Sequence, residues 1–430
     1  MEGSTLAKLS RERCTVSNRV AQVRHERSTA GESPGRAPRR RQAKEAGAAG
    51  LEAGPDGLDS DGPDPAAEPG QADGGRLVVR PGPVVAITGA ARGLGLALTT
   101  RLAESTVPGR VIAIDQHRGD VSGVTWRITD VRDPALASRL SDVDVIVHAD
   151  LDLSPDADAR TRRAFNVRGA QTVLTAAAAG GVSRVVLVTS AMVYGAHQDN
   201  PVPLPENSPL TADSDDSVVG DLLEIEHLAE RSPRAHLGLE VVVARPAALV
   251  GDVVDTVITR HFEAPRLLAV KGCAARWQFC HVDDLASALE LAVAGEVSGA
   301  FAVGSEGWLE QEQIEEQSGM RRVELPAGLT FATAQRLHRA GITPVPVTDL
   351  HYVVYPWVVD CQALREAGWR PGYDNAAALE VLLSQRAGHH AVAGRRLDKK
   401  DATITAAGAT VAVIGTAAIV RQVRRRRRGS

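Results

Sequence analysis

At 430 residues the chain can hold one large or two ordinary domains, and its 43% hydrophobic content is that of a globular protein with a sizeable core. A net charge of −4 gives no electrostatic footing for nucleic acid, so no nucleic-acid partner is expected. The four cysteines, Cys14, Cys273, Cys280 and Cys361, form no CxxC pair, which fits a reducing compartment and a metal-free fold.

Residues 1–75 are rich in Gly, Pro, Ala and charge and carry no periodic apolar run, so they are expected to be a disordered arm. Arginines gather up to Arg41, and acids such as Asp56, Asp59, Asp61 and Asp64 follow. No apolar h-region is present, which argues against a secretory signal. An interaction arm stays open, although a solvated tail fits the composition better.

From Val84 onward short β-branched runs alternate with helical stretches. The expected strands are Val84–Thr88, Arg110–Ile114, Val124–Ile128, Val143–His148, Arg184–Ser190 and Glu240–Ala244. The helical stretches include Leu94–Glu104, Ala159–Ala179 and Val218–Glu230. Continuous apolar strands separated by helices imply a parallel sheet covered on both faces. Right-handed crossovers then give a doubly wound α/β fold of the Rossmann kind over residues 76–250. Past about Leu249 the alternation turns irregular, which predicts a smaller lobe over 251–395 that includes one returning Rossmann element.

Residues 396–430 combine an apolar segment with a basic tail. Ala402–Val420 is a run of 19 uncharged residues, followed by Arg421 and Arg424–Arg428. As a helix it would be about 28 Å long, just enough for a hydrocarbon core. Arg395, Arg396, Lys399 and Lys400 flank its other side, so the charges give no clear orientation. Two readings stay open: membrane association through 402–428, and an ordinary exposed end.

The strongest motif is Thr88-Gly89-Ala90-Ala91-Arg92-Gly93-Leu94-Gly95, directly after an apolar strand and opening a helix. Glycines serve there because the backbone must turn sharply and approach a pyrophosphate that a side chain would block. The helix N-terminus adds free N–H groups and the positive end of the dipole. Asp115 ends the second strand, 20 residues beyond Gly95, where a carboxylate binds both ribose hydroxyls of NAD and repels the 2′-phosphate of NADP. Arg118 leaves NADP open as the less favoured cofactor.

In this context the sequence resembles the extended short-chain dehydrogenase/reductase family, which includes NAD-dependent nucleotide-sugar epimerases and dehydratases. The resemblance runs from about Val84 to Pro371, although the glycine spacing Gly-x-x-x-Gly-x-Gly is nearer the short branch. Asp130-Val131 resembles the family's adenine contact. His148-Ala149-Asp150 looks like its His-x-Ala-Ala type loop over the cofactor, with Asp150 a departure. Phe165-Asn166-Val167-Arg168-Gly169 resembles its Asn-Val-x-Gly helix, and Thr189–Gly195 its Ser-Ser-x-x-Val-Tyr-Gly strand end. Arg245-Pro246 matches the Arg-Pro after the sixth strand. Phe279–Ala286 is close to its Phe-x-His-Val-Asp-Asp-Leu-Ala box, and Asp360, Leu364, Gly368, Trp369 and Pro371 resemble its closing element. The resemblance implies cofactor contacts at Thr88, Gly89, Arg92, Gly93, Leu94, Gly95, Asp115, Asp130, Val131, His148, Ala149, Asn166, Arg245 and Pro246. It also implies a nucleotide-sugar or similar small-molecule ligand, and it leaves a homodimer open. Physical chemistry gives several of these residues quieter roles: Asp283 and Asp284 as helix N-cap acids, His281 as a packed or hydrogen-bonded side chain, and Asn166 as a backbone partner that orders the site. Arg245, Arg266 and Arg276 are the side chains that could meet a diphosphate.

The family's chemistry resembles a proton relay in which a Tyr moves the hydroxyl proton, a Lys four residues on lowers its pKa, and a Ser orients the substrate. Ser190 fits the Ser role. Aligning Glu226 with the family's Glu places Val218 at the Tyr position and Leu222 at the Lys position. No shift of register restores the motif, because no lysine lies between Lys44 and Lys271 and Tyr194 is the only tyrosine before Tyr352. Two readings follow: an atypical enzyme that takes its proton from Tyr194, Asp221 or Glu224, and a catalytically silent NAD-binding sensor, scaffold or partner subunit. Either is expected in the cytoplasm, where NAD is available, with membrane attachment through the tail left open.

Overall fold

Seven parallel strands, β11-β6-β5-β4-β1-β2-β3 in spatial order, make the central sheet of the computed structural model. The structure describes residues 82–385, less 253, 341, 342 and 344, together with the short strands Ala391–Val392 and Arg395–Arg396. The arm 1–75 and the run 402–428 lie outside the described residues. Among the described residues no helix is long and apolar enough to cross a membrane.

The chain enters through β1 (Val84–Thr88), α1 (Gly93–Glu104), β2 (Arg110–Asp115), β3 (Thr125–Ile128) and β4 (Val145–His148). It goes on through α2 (Ala159–Gly180), β5 (Arg184–Val188), α3 (Val218–Ala235) and β6 (Glu240–Pro246). The expected doubly wound sheet is therefore present, with shifted ends. β5 stops at Val188, because Ser190 caps the short 3-10 turn Ala191–Tyr194 by accepting from Met192 N at 3.2 Å. α3 runs past Glu230 to Ala235 and tolerates Pro233 in its final turns, with Ser232 Oγ donating to Leu228 O at 2.8 Å.

Alternation along the strands divides the core between two faces. Val85 and Ile87 of β1, Val145 and Val147 of β4, and Val186 and Val188 of β5 point to one face. Ala86, Ile146, Val185 and Leu187 point to the other, with Val173 and Leu174 of α2 and Leu222 and Ile225 of α3. Each Val, Leu or Ile side chain among them contributes about 1.5–3 kcal/mol by leaving water.

Past β6 come β7 (Ala248–Val250), α4 (Val257–Glu263), β8 (Leu267–Val270), β9 (Arg276–Trp277), β10 (Phe279–His281) and α5 (Val282–Ala294). β11 (Ala300–Val303) then returns to the edge of the main sheet beside β6. The later chain shares the first of the two cores: Phe262, Trp277, Phe279, Trp357 and Leu379 are buried in the same cluster as Ile87 and Val186. The described residues fall within one compact unit. Beyond β11, the 3-10 turn Val347–Val353 carries the residues that complete the cleft described next.

Candidate functional site

In this sheet β1 continues to β2 and β3 on one side and abuts β4 on the other, so the strand order reverses between β1 and β4. Loops leaving the C-terminal ends of these two strands diverge there and open a crevice. A cleft of about 440 Å³ lies at that point, lined by Gly89, Arg92, Gly93 and Leu94 on one side and by Ser190, Val218 and Trp357 among others.

The glycine turn has the backbone its sequence calls for. Gly89 (φ +67°) and Gly93 (φ +50°) lie in the left-handed region. Gly95 is needed for a different reason: a Cβ there would run into the carbonyl oxygen of Gly89, so this glycine lets α1 pack onto the turn. Arg92 is the N-cap of α1 without a side-chain cap hydrogen bond, which leaves first-turn N–H groups open to an anion. The space beside Gly93, where a Cβ would meet nothing within 4 Å, together with these N–H groups fits a pyrophosphate.

Asp115 is buried at the end of β2. It accepts from Ala91 N at 3.1 Å and from His117 N at 3.1 Å, so this carboxylate and the glycine turn are joined directly. Thr88 Oγ1 accepts from Ala149 N at 3.1 Å and shares a 2.9 Å hydrogen bond with His148 Nδ1, tying β1 to β4 at the crevice floor. Burial holds His148 down at about 4, so its ring is neutral at physiological pH. Asn166 Oδ1 accepts from Asp152 N at 2.8 Å and its Nδ2 donates to Asp152 O at 2.9 Å, which orders the loop after β4 through the backbone contact expected of it. Asp130 is gripped by Arg132 through contacts of 2.9 and 2.6 Å, and that hydrogen-bonded arginine holds its carboxyl below the ordinary range. Val131 is buried beside it.

The departure at Asp150 matters. Its carboxylate stands against the turn, 3.5 Å from Arg92 Nη2, and a Cβ on Gly89 would come within 3.0 Å of its own Cβ. Burial, opposed by Arg92, pushes Asp150 up to about 6.

Ser190, Pro246 and Ala149 line the cleft, and so do Val218 and Leu222, the positions aligned with the family's Tyr and Lys. The aliphatic pair thus faces the cleft where the relay would stand. Tyr194 is absent from the lining. It is 1% exposed, its hydroxyl donates to Glu206 O at 2.7 Å, and it accepts from Arg245 Nη1 at 2.8 Å. Asp221 is likewise engaged, held by Arg162 at 2.8 Å and Arg163 at 3.4 Å, and Glu224 meets Arg231 at 3.3 Å on the outer face of α3.

Arg245 is taken up internally rather than turned to a diphosphate. Its Nε and Nη2 donate to Glu226 at 2.9 and 2.8 Å, and its guanidinium lies 5.0 Å from the centre of the Tyr194 ring. Burial opposes that charge, but the hydrogen bonds and charge of Glu226 more than offset it, and the guanidinium is held more firmly protonated than usual. Arg276 pairs with Glu310 at 3.1 Å. The capping roles in α5 are also redistributed: His281 is the N-cap, accepting from Asp283 N at 3.2 Å and stacked on Tyr373 at 3.8 Å. Asp284 instead accepts from Gly372 N at 2.7 Å and Tyr373 N at 3.0 Å, fixing a distant loop.

Sequence reasoning missed Asp349. It lines the cleft at 4% exposure, and its Oδ1 has no hydrogen-bond partner among the described residues.

The family model for NAD dependent epimerase/dehydratase proteins matches residues 85–304. An uncharacterized protein of Mycobacterium tuberculosis is 30% identical over 319 residues, 70% of this chain and 84% of its own. An uncharacterized protein of Sinorhizobium fredii is 27% identical over 260 residues, 56% of this chain and 63% of its own. Among solved structures, DesIV, a dTDP-glucose 4,6-dehydratase from Streptomyces venezuelae with NAD bound, has a TM-score of 0.54 at 22% identity and covers 71% of this chain and 97% of its own. The UDP-glucose 4-epimerase of Thermus thermophilus in complex with NAD has a TM-score of 0.54 at 17% identity, covering 71% and 99%. Both share the fold.

Proposed function

The chain belongs to the NAD dependent epimerase/dehydratase family, and from that premise we propose that it binds NAD along the glycine turn and holds a nucleotide-sugar or similar small molecule in the adjoining cleft. Its activity is weak or atypical for an oxidoreductase or epimerase. The observation that carries this reading is one cleft lined both by the glycine turn, with Gly93 and Arg92, and by the aliphatic Val218 and Leu222.

Asp115 accepts the ribose hydroxyls, and the first-turn N–H groups of α1 meet the pyrophosphate. Bound NAD supplies a two-electron acceptor for a carbinol carbon. Ser190, already accepting from Met192 N, orients a substrate hydroxyl, while Val218 and Leu222 exclude water from the place where a proton relay stands in typical members. The same aliphatic pair favours a second reading, a catalytically silent NAD-binding sensor, scaffold or partner subunit. In either case the proposed setting is the cytoplasm, and residues 402–428, outside the described residues, keep both readings, membrane attachment and an ordinary exposed end.

Mass spectrometry of the purified full-length protein for co-purified NAD or NADP tests the cofactor, and turnover of UDP-sugars separates the two readings. Absence of any bound dinucleotide, with no binding of added NAD, would sink both.

A further inference from the structure

Besides Asp150 at the glycine turn, the cleft is lined by a second buried acid, Asp349. It sits in the 3-10 turn Val347–Val353, far along the chain from the glycine turn, and yet it lines the same cavity as Ser190, Met192, Val218 and Trp357. Three hydrogen bonds hold this turn in place. Thr348 Oγ1 donates to Asp215 Oδ2 at 2.8 Å, just ahead of α3. Tyr352 OH donates to Met192 O at 2.8 Å, and Trp357 Nε1 donates to Tyr352 O at 2.8 Å. The carboxyl is therefore carried on a fixed support beside the residues after β5 and at the start of α3.

A carboxyl that is 4% exposed, with a buried oxygen lacking a partner among the described residues, is a feature that folds avoid unless a ligand or a reaction uses it. Its surroundings supply no dedicated cation. Arg162 is the cation that acts on it, and that side chain already donates to Asp221 and to Asp216 O. Asp215 adds a second negative charge, and Asp213, His197 and His351 line a recess that Asp349 shares. Burial lowers His351, so it brings no positive charge at neutral pH. Val219, the chain neighbour of Val218, lines both the recess and the main cleft, as Asp349 does.

We propose that Asp349 is the proton-exchanging group of this cleft, accepting the hydroxyl proton of a bound carbinol on its carboxylate and returning it, in place of the missing Tyr-x-x-x-Lys. The assignment rests on the proposed function. The carbinol O–H bond breaks as an O–H bond forms on Asp349. The freed electron pair becomes the second bond of a carbonyl, and the hydrogen on carbon leaves with its own pair for the oxidised nicotinamide. Burial and the Asp215 charge push Asp349 up to about 7, so both protonation states are populated at working pH.

The test uses the full-length protein. Infrared titration of the protonated-carboxyl band from pH 5 to 9, taken as wild type minus Asp349→Asn, should show one carboxyl ionising near pH 7. Calorimetric titration with UDP-glucose as the probe, after loading with NAD, should give a dissociation constant that shifts about tenfold between pH 6 and 8 in wild type and stays flat in Asp349→Asn. Asp349→Glu should restore the pH dependence. A difference spectrum without a titrating band, or an Asp349→Asn protein that keeps the wild-type pH profile, overturns the assignment while leaving NAD binding intact. A wild-type protein that fails to bind NAD removes the reading beneath it, whatever the infrared band does.

Discussion

Arg92 Nη2 stands 3.5 Å from Asp150 Oδ1, so opposite charges face each other across the turn proposed to receive a pyrophosphate. Burial and the neighbouring Asp115 raise Asp150 while Arg92 lowers it, leaving it at about 6. Below that pH the carboxyl is neutral, and Arg92 is free to meet phosphate. Above it the carboxylate both repels phosphate and occupies the arginine. NAD affinity should therefore fall as pH rises through 6, by about tenfold between pH 5 and 7.5, or roughly 1.4 kcal/mol. Asp150→Ala should bind NAD more tightly at pH 7.5 and flatten the profile. Fluorescence titration at several pH values measures this, and an unchanged profile in the variant would count against the electrostatic role.

Cofactor choice follows from Asp115, whose oxygens already accept from Ala91 N and His117 N. NAD should bind at least about tenfold more tightly than NADP, roughly 1.4 kcal/mol. Calorimetry with both cofactors checks this, and equal affinities would remove the ribose assignment.

The glycines of the turn should fail differently. Gly95→Ala puts a methyl group into the Gly89 carbonyl and should cost about 1–3 kcal/mol of overall stability, read as a lowered urea midpoint. Gly93→Ala meets open space and carries only its φ of +50°, at a cost of about 1 kcal/mol. Gly93→Val should abolish NAD binding while the protein stays folded.

Tyr194 offers a contrast between chemistry and support. Tyr194→Phe removes the hydrogen bonds to Glu206 O and from Arg245, and should cost about 1–3 kcal/mol of stability. Glu226→Ala, which strands Arg245 in a buried site, should cost about 3–5 kcal/mol. Thermal melts rank these variants. Turnover on UDP-sugars should be absent or very slow in wild type, and robust turnover abolished by Tyr194→Phe in a protein that still melts normally would return the acid–base role to this tyrosine.

The sheet was legible because its strands are short β-branched runs and its glycine turn is a local pattern, so neighbours in sequence carried the information. Aligning Glu226 with the family's Glu put Val218 and Leu222 at the relay positions, and both residues line the cleft. What the sequence hid were long-range partners. Nothing near Arg245 marks it as a buried partner of Glu226 rather than a phosphate ligand. Asp284 reads as a helix-terminal acid until Gly372 N and Tyr373 N arrive from the far end of the chain. Asp349 sits in a Pro-Val-Pro-Val-Thr-Asp-Leu stretch whose only signal is an acid amid apolar residues, and its place beside Ser190 is set by tertiary packing.

The cleft is lined by Gly93 near the start of the fold and by Trp357 near its end. During synthesis the glycine turn leaves the ribosome on the order of tens of seconds before that tryptophan does. A nascent chain thus displays a dinucleotide turn without that tryptophan, and loop-closure entropy must be overcome before the two line one cleft.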